Sequence, residues 1–170
     1  MVLFCFVLFV ITLTDAGGMW VVKEAHKGEV CEAGSPISCG KKIRLEHAQT
    51  GKNLHSHLFQ SPVSGQQEVS GYGANGDGDT GDNWEVVCDP GKAWWKRSDY
   101  IQFRHVDTGK FLVTSMKHKF DQRNCGHGCP IMGQTEVSCS SSREQNKIRW
   151  ITTQGVFFPV EEEQTKDKEL

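Results

Sequence analysis

Ile43-Arg44-Leu45-Glu46-His47-Ala48-Gln49-Thr50-Gly51-Lys52-Asn53-Leu54 recurs 58 residues later as Ile101-Gln102-Phe103-Arg104-His105-Val106-Asp107-Thr108-Gly109-Lys110-Phe111-Leu112. Ile43, Leu45 and His47 share one side of an extended segment and Arg44 and Glu46 the other, the period of two expected of a strand with one buried face. Tyr100 to His105 repeats the alternation. Thr50-Gly51-Lys52 and Thr108-Gly109-Lys110 then read as hairpin tips whose Gly takes a positive φ without a Cβ clash, and Leu54 and Leu112 return to the core. The correspondence continues from Gly65-Gln66-Gln67-Glu68-Val69-Ser70 to Gly133-Gln134-Thr135-Glu136-Val137-Ser138, with about ten extra residues between Leu112 and Gly133. Trp84 and Trp150 close the two units, at about 26–84 and 88–150. Trp20, 64 residues before Trp84, stands where an earlier unit would close. A unit of this kind cannot bury its apolar face alone, so the copies must pack around a shared axis or stack.

The whole chain is consistent with such a body. Its 170 residues suit one domain, and 18 Gly with 5 Trp suggest many tight turns around a few large anchors, as in all-β proteins. Hydrophobic residues at 37% are too many for a disordered chain, and charged residues at 24% are too frequent for a membrane bundle. A formal charge of −2 gives no field that would gather nucleic acid or an acidic membrane surface.

The two ends carry sorting information. Val2 to Leu13 holds no charged residue; it is too short to span a bilayer stably but has the length of a secretory signal core, with Thr14 and Ala16 as the small residues before cleavage. Residues 1–16 are therefore expected to be a signal peptide, 17–157 the folded domain, and 158–170 a flexible acidic tail. The tail ends in Asp167-Lys168-Glu169-Leu170, which resembles the tetrapeptides that return lumenal proteins to the endoplasmic reticulum. Both ends point to the lumen of that compartment.

Six cysteines lie beyond the signal: Cys31, Cys39, Cys88, Cys125, Cys129 and Cys139. In an oxidising lumen they read as up to three bridges. The turn at Gly34-Ser35-Pro36 suggests Cys31–Cys39 as one of them. Cys125-Gly126-His127-Gly128-Cys129 is either a disulfide or a thiol pair, with His118 upstream as a further ligand were it to hold a metal; a disulfide is favoured.

The repeated His-x-x-Thr-Gly-Lys-x-Leu, the run Leu54-His55-Ser56-His57, the stretch Ser61-Pro62-Val63-Ser64-Gly65-Gln66-Gln67-Glu68-Val69 and the later Trp84 resemble MIR repeats. From about Val30 to Trp150 the chain is similar to the stromal-cell-derived-factor-two-like proteins, small lumenal proteins made of MIR repeats alone. That resemblance implies a β-trefoil of three units. Only two are complete here, because the place of the first is taken by the apolar run and residues 17–23, so the expected fold is an incomplete trefoil of two units; either the sequence is a truncated form of a longer one, or the trefoil completes itself by association.

Few residues suggest chemistry. His55 and His57 would share a strand face and could begin a zinc site, but nothing adjacent in sequence supplies two further ligands. Asn75, Asp77 and Asp79 have the alternate spacing of a calcium loop, yet Thr80 stands where Gly is needed and Val86 where a bidentate Glu is needed, so a solvated acidic turn is expected. No catalytic residue, metal or cofactor is assigned. His47 and His105 recur with the fold and read as structural strand-end residues.

Function is then expected from surfaces. The family resemblance implies a non-catalytic subunit of a complex with a J-domain co-chaperone and the ATPase BiP, which binds misfolded clients and limits aggregation, and an association with O-mannosylation. Trp94 and Trp95 beside Lys96 and Arg97 form one candidate client surface if their rings are exposed; the equal alternative is that one Trp belongs to the core and the other covers it. The alternative is a lectin-like module in which Trp84, near Asp79, Asp82 and Asn83, stacks on an O-mannosyl or other glycan.

Overall fold

In the computed structural model the described residues are 8–10, 18–32, 34–142, 144 and 148–152. The fold is all-β. Nine strands run in chain order: β1 Leu8–Val10, β2 Met19–Glu24, β3 Lys42–His47, β4 Asn53–Gln60, β5 Gln67–Tyr72, β6 Trp84–Cys88, β7 Ile101–His105, β8 Phe111–Lys119 and β9 Thr135–Ser140. All neighbours are antiparallel, in the order β1-β2-β3-β4-β5-β9-β8-β7-β6, and β6 pairs back onto β3. Seven strands, β3 to β9, therefore form a closed barrel-like ring, and β2 and β1 extend from β3. No helix among the described residues is long and apolar enough to cross a membrane.

The repeat is a repeat of pairings. Trp20 of β2 lies opposite His47 of β3, as Trp84 of β6 lies opposite His105 of β7, and each Trp–His pair of rings is 5.0 Å apart. Ile43 pairs with Trp84, and Ile101 pairs with Trp150. The Trp84 Nε1–H donates to the Leu54 carbonyl at 2.8 Å and Trp150 Nε1–H to that of Leu112 at 3.0 Å. Ile43, Leu45, Ile101, Phe103 and Trp84 are at most 1% exposed, so the alternation in the sequence marks the inward face. The Gly of the repeated motif is required by the turn: Gly51 and Gly109 have φ of 62° and 68°, and each N–H donates to the carbonyl of the preceding His. His47 Nδ1 and His105 Nδ1 each lie 2.9 Å from the motif Thr hydroxyl, which gives both histidines a structural part in the hairpin tip.

The extra residues of the second unit lengthen the β8–β9 hairpin. They include the short helix α1, Gln122–Cys125, and the disulfide Cys125–Cys129. The disulfide suggested between Cys31 and Cys39 is corrected: Cys39 is bonded to Cys88, with 5.6 Å between their Cα atoms, and Cys31 is bonded elsewhere. The reason is long-range pairing. Cys39 N–H donates to Ala93 O, Trp95 N–H to Ile37 O and Gly40 N–H to Val86 O, which lays residues 37–39 along residues 93–95 and Gly40 against β6, and so brings Cys39 beside Cys88, whatever the turn at Gly34 does. Cys139 is a free thiol, 1% exposed, and burial pushes its pKa up to about 11, so it stays protonated and unreactive at neutral pH.

Glu136 of β9 fastens the two hairpins together. Its carboxylate accepts from the N–H of Val63 at 2.8 Å, the N–H of Ser64 at 2.9 Å and the hydroxyl of Ser61 at 3.1 Å. Burial alone would push this carboxyl up, but the hydrogen bonds from Ser64, Val63 and Ser61 outweigh it and hold the pKa below the ordinary 4.5. A carboxyl depressed in the folded state stabilises above the unfolded pKa, and that stability is lost as pH falls through the folded value. Glu136→Gln is expected to cost about 2 kcal/mol at pH 7, and the gap should narrow below about pH 4. Urea denaturation at pH 7 and pH 3.5 measures both; an equal gap at the two pH values would remove the carboxylate from the explanation.

Leu8–Val10, within the apolar run read as a signal, pairs with β2 through Leu8↔Val21, Phe9↔Trp20 and Val10↔Met19. The rest of that run, the cleavage position at Ala16 and the tail with Asp167, Lys168, Glu169 and Leu170 lie outside the described residues.

Candidate functional site

A polar cluster gathers where β4 meets the loop before β6. β4 alternates, so His55, His57 and Phe59 lie on one side of it, and Tyr72, at the end of β5, comes to the same place. The rings form a continuous row: Tyr72 to His55 4.4 Å, His55 to His57 4.7 Å and His57 to Phe59 4.5 Å between centroids. The row runs from a deeply buried centre to exposed ends, with His55 2% exposed, Tyr72 45% and Phe59 67%.

The loop from Gly73 to Asp82 folds down onto β4. A short 3-10 turn, Thr80–Asp82, ends it and is capped by Asp79, whose side chain accepts from Gly81 N–H at 2.8 Å. Asp82 is fully buried: Oδ1 lies 2.8 Å from His55 Nδ1, and Oδ2 accepts from Asn53 Nδ2 at 3.1 Å and from Asp79 N–H at 3.0 Å. Two glycines permit the approach. A Cβ on Gly78 would stand 1.7 Å from Asp82 Oδ2, and one on Gly81 2.4 Å from His55 Cε1. The solvated acidic turn expected here is thus corrected in part: Asp77 and Asp79 are exposed, while Asp82 anchors the loop through the two β4 side chains.

The cluster continues through the histidines. His55 Nε2 lies 2.9 Å from His57 Nδ1, and His57 Nε2 lies 3.2 Å from Glu68 Oε2. The sequence Asp82–His55–His57–Glu68 thus has three links at hydrogen-bonding distance and a carboxylate at each end. Two neutral imidazoles carry only two N–H hydrogens between them. On the far side His105 Nε2 lies 3.0 Å from Gly81 O, and burial pushes the His105 pKa down.

Trp84, offered as a sugar-stacking ring, is fully buried, and Asp82 and Asn83 are 0% and 7% exposed; of that set only Asp79 reaches solvent. The grouping is corrected because Trp84 opens β6 pointing inward, in step with Val86, and its Nε1–H is engaged by Leu54 O. Asn83 is occupied as well, accepting from the N–H of His26 at 2.6 Å. The pair Trp94 and Trp95 splits: Trp95 is 1% exposed and packs edge-on against Phe103 at 5.7 Å, while Trp94 is 41% exposed. Tyr72, Glu68 and Phe59 escaped the sequence reading. The spacing His55-x-His57-x-Phe59 is the signal that would have put three rings on one strand face.

A second feature borders the cluster. An open polar cleft of about 490 Å³ is lined by Lys23, Glu24, His26, Arg44 and the loop residues 75–78. Its cations are already engaged, Lys23 with Glu46 and Arg44 with Glu24 and the Gly76 carbonyl.

Comparison with known proteins agrees with the repeat. Residues 12–151 match the MIR domain. The chain is 40% identical over 144 residues to a stromal cell-derived factor 2-like protein of Dictyostelium discoideum, covering 85% of this chain and 63% of that one. It is 38% identical over 153 residues to human stromal cell-derived factor 2, covering 90% and 67%. The chain thus spans about two thirds of the length of these relatives. Among solved structures, the crystal structure of the SDF2-like protein from Arabidopsis thaliana superposes with a TM-score of 0.76 at 32% identity, over 89% of this chain and 78% of that one. A chain of the S. cerevisiae protein O-mannosyltransferase Pmt1-Pmt2 complex, bound to the sugar donor, superposes with a TM-score of 0.70 at 29% identity, over 87% of this chain and 21% of that one. With the MIR match over most of its length and these identities, the chain belongs to the stromal cell-derived factor 2 family of MIR-domain proteins.

Proposed function

We propose that the chain works in the lumen of the endoplasmic reticulum as a non-catalytic quality-control protein, a subunit of an assembly with a J-domain co-chaperone and BiP that binds misfolded clients and limits their aggregation. The observation that carries this reading is the apolar end of β4, where Leu58 and Phe59 are 79% and 67% exposed. Two large apolar side chains held in water by a rigid strand suit an extended apolar client segment. Trp94 adds a second exposed ring at another place on the fold. Family membership, the bonded cysteines, residues 1–16 as a signal and the Asp167–Leu170 tail support the compartment. The ring is further proposed as two thirds of a β-trefoil, an idea supported by Trp20, which stands to His47 as Trp84 stands to His105.

The test is suppression of aggregation of a chemically denatured client protein. Leu58→Ser with Phe59→Ser is expected to reduce suppression several-fold, with the melting temperature nearly unchanged because exposed positions contribute within about 0.5 kcal/mol each. Full suppression by the double variant would overturn the reading.

A glycan-binding role is the second reading, supported by the similarity to the O-mannosyltransferase chain and by Tyr72, a half-exposed ring in contact with His55 close to Asp79. It puts Tyr72 in the place first given to Trp84. Binding of mannose-bearing glycans on an array, lost in Tyr72→Ala, would favour it over the client-binding role.

A further inference from the structure

We propose that His55, Asp79 and Asp82 bind a divalent transition metal ion of the zinc class, independently of the client or glycan role. One potential ligand atom from each of His55, Asp79 and Asp82 lies within 4.8 Å of the other two. His55 Nδ1 is 2.8 Å from Asp82 Oδ1 and 3.7 Å from Asp79 Oδ1. Tetrahedral zinc with bonds of ~2.0–2.1 Å holds its ligand atoms ~3.3 Å apart, a value between these two distances, so small side-chain shifts would seat the ion. Two of the ligands are fixed by the fold: His55 and Asp82 are 2% and 0% exposed, on β4 and at the foot of the 3-10 turn. The Asp79 side chain is 56% exposed, which provides a route in and leaves the remaining coordination position to water.

Hydrogen counting supports the same conclusion. With a metal on Nδ1 of His55, its Nε2–H donates to His57 Nδ1 and the His57 Nε2–H donates to Glu68, so two neutral imidazoles satisfy every contact that otherwise requires a third hydrogen. That is the outer-shell pattern that orients a metal-bound histidine. A buried oxygen supplies an independent indication. Asn53 Oδ1 is fully buried and has no hydrogen-bond partner among the described residues, although the Nδ2 of the same amide donates to Asp82 Oδ2. An unmatched buried acceptor on the side chain that holds Asp82 is a place for an ordered water beside the proposed ion. Among the described residues no Lys or Arg forms an ion pair with Asp79 or Asp82, and a divalent ion would balance the two carboxylates.

The experiment uses the full chain, stripped with EDTA and titrated with zinc chloride by calorimetry, with long-range ¹H–¹⁵N spectra of the imidazoles. One zinc per chain is expected, with the shift at His55 Nδ1. Asp79→Ser keeps a capping hydroxyl for the 3-10 turn and removes only the exposed ligand, so it should fold normally and bind at least ~10-fold more weakly. His57→Gln, a positioning variant, should weaken binding ~10–100-fold with Asp79 intact. No saturable zinc, equal affinity in Asp79→Ser, or imidazole shifts confined to His26, His118 or His127 would each overturn the proposal, as would binding of calcium in preference to zinc.

Discussion

Trp84→Ala is expected to destabilise the protein by about 3–5 kcal/mol, the range for deleting a large side chain from a packed core. Trp84 is fully buried, meets Ile43 across the β3–β6 pairing and faces His105, and it donates to the Leu54 carbonyl from the centre of the ring. Truncation would open a cavity and leave that carbonyl without its donor. For a chain of this size the loss corresponds to a fall in melting temperature of roughly 10 °C. Trp84→Phe separates the two effects, retaining most of the volume and losing only the hydrogen bond, for about 1–2 kcal/mol. Denaturant unfolding followed by circular dichroism measures both. A loss below about 1 kcal/mol for the alanine variant would mean that Trp84 does not close the ring.

Removing the Cys39–Cys88 disulfide should have an effect of similar size. It joins residues 49 apart, and cross-linking a loop of that length limits the unfolded chain by about 4 kcal/mol. Cys125–Cys129 closes a separation of only 4, for which the same relation gives about 2 kcal/mol. Cys39→Ser with Cys88→Ser should therefore unfold at markedly lower denaturant than Cys125→Ser with Cys129→Ser. If the two double variants are equally stable, or the second is the weaker, chain entropy is not what sets their order.

These two predictions differ in how far the sequence alone reaches. The hairpin tips were readable because their causes are local: the Gly of Thr-Gly-Lys takes positive φ, and the His three residues before Thr meets its hydroxyl, in both copies. The inward faces of β3 and β7 were readable from a period of two. Cys39–Cys88 was not, because its partners are set by residues 37–39 lying along residues 93–95 and Gly40 lying on β6, contacts between segments about 50 residues apart. The same holds for Asp82 and His55, 27 residues apart, which meet because glycines at 78 and 81 let the loop come down on β4. The pair Trp94-Trp95 fits either core or surface by sequence, and one ring takes each place because Trp95 packs edge-on against Phe103 while Trp94 faces water. Trp84 was misplaced on a binding surface although its alternation with Val86 carried the inward signal.

Ring closure has a temporal side. The β4–β5 hairpin gains its other neighbour only through β9, by the pairs Gln67↔Cys139 and Glu68↔Ser138. Between the end of β5 at Tyr72 and the start of β9 at Thr135 a ribosome adds about 60 residues, some 3–12 s of elongation at ~5–20 residues per second. Throughout that interval the nascent chain presents a bare row of amide and carbonyl groups beside apolar side chains, open to pairing with any other unfinished strand.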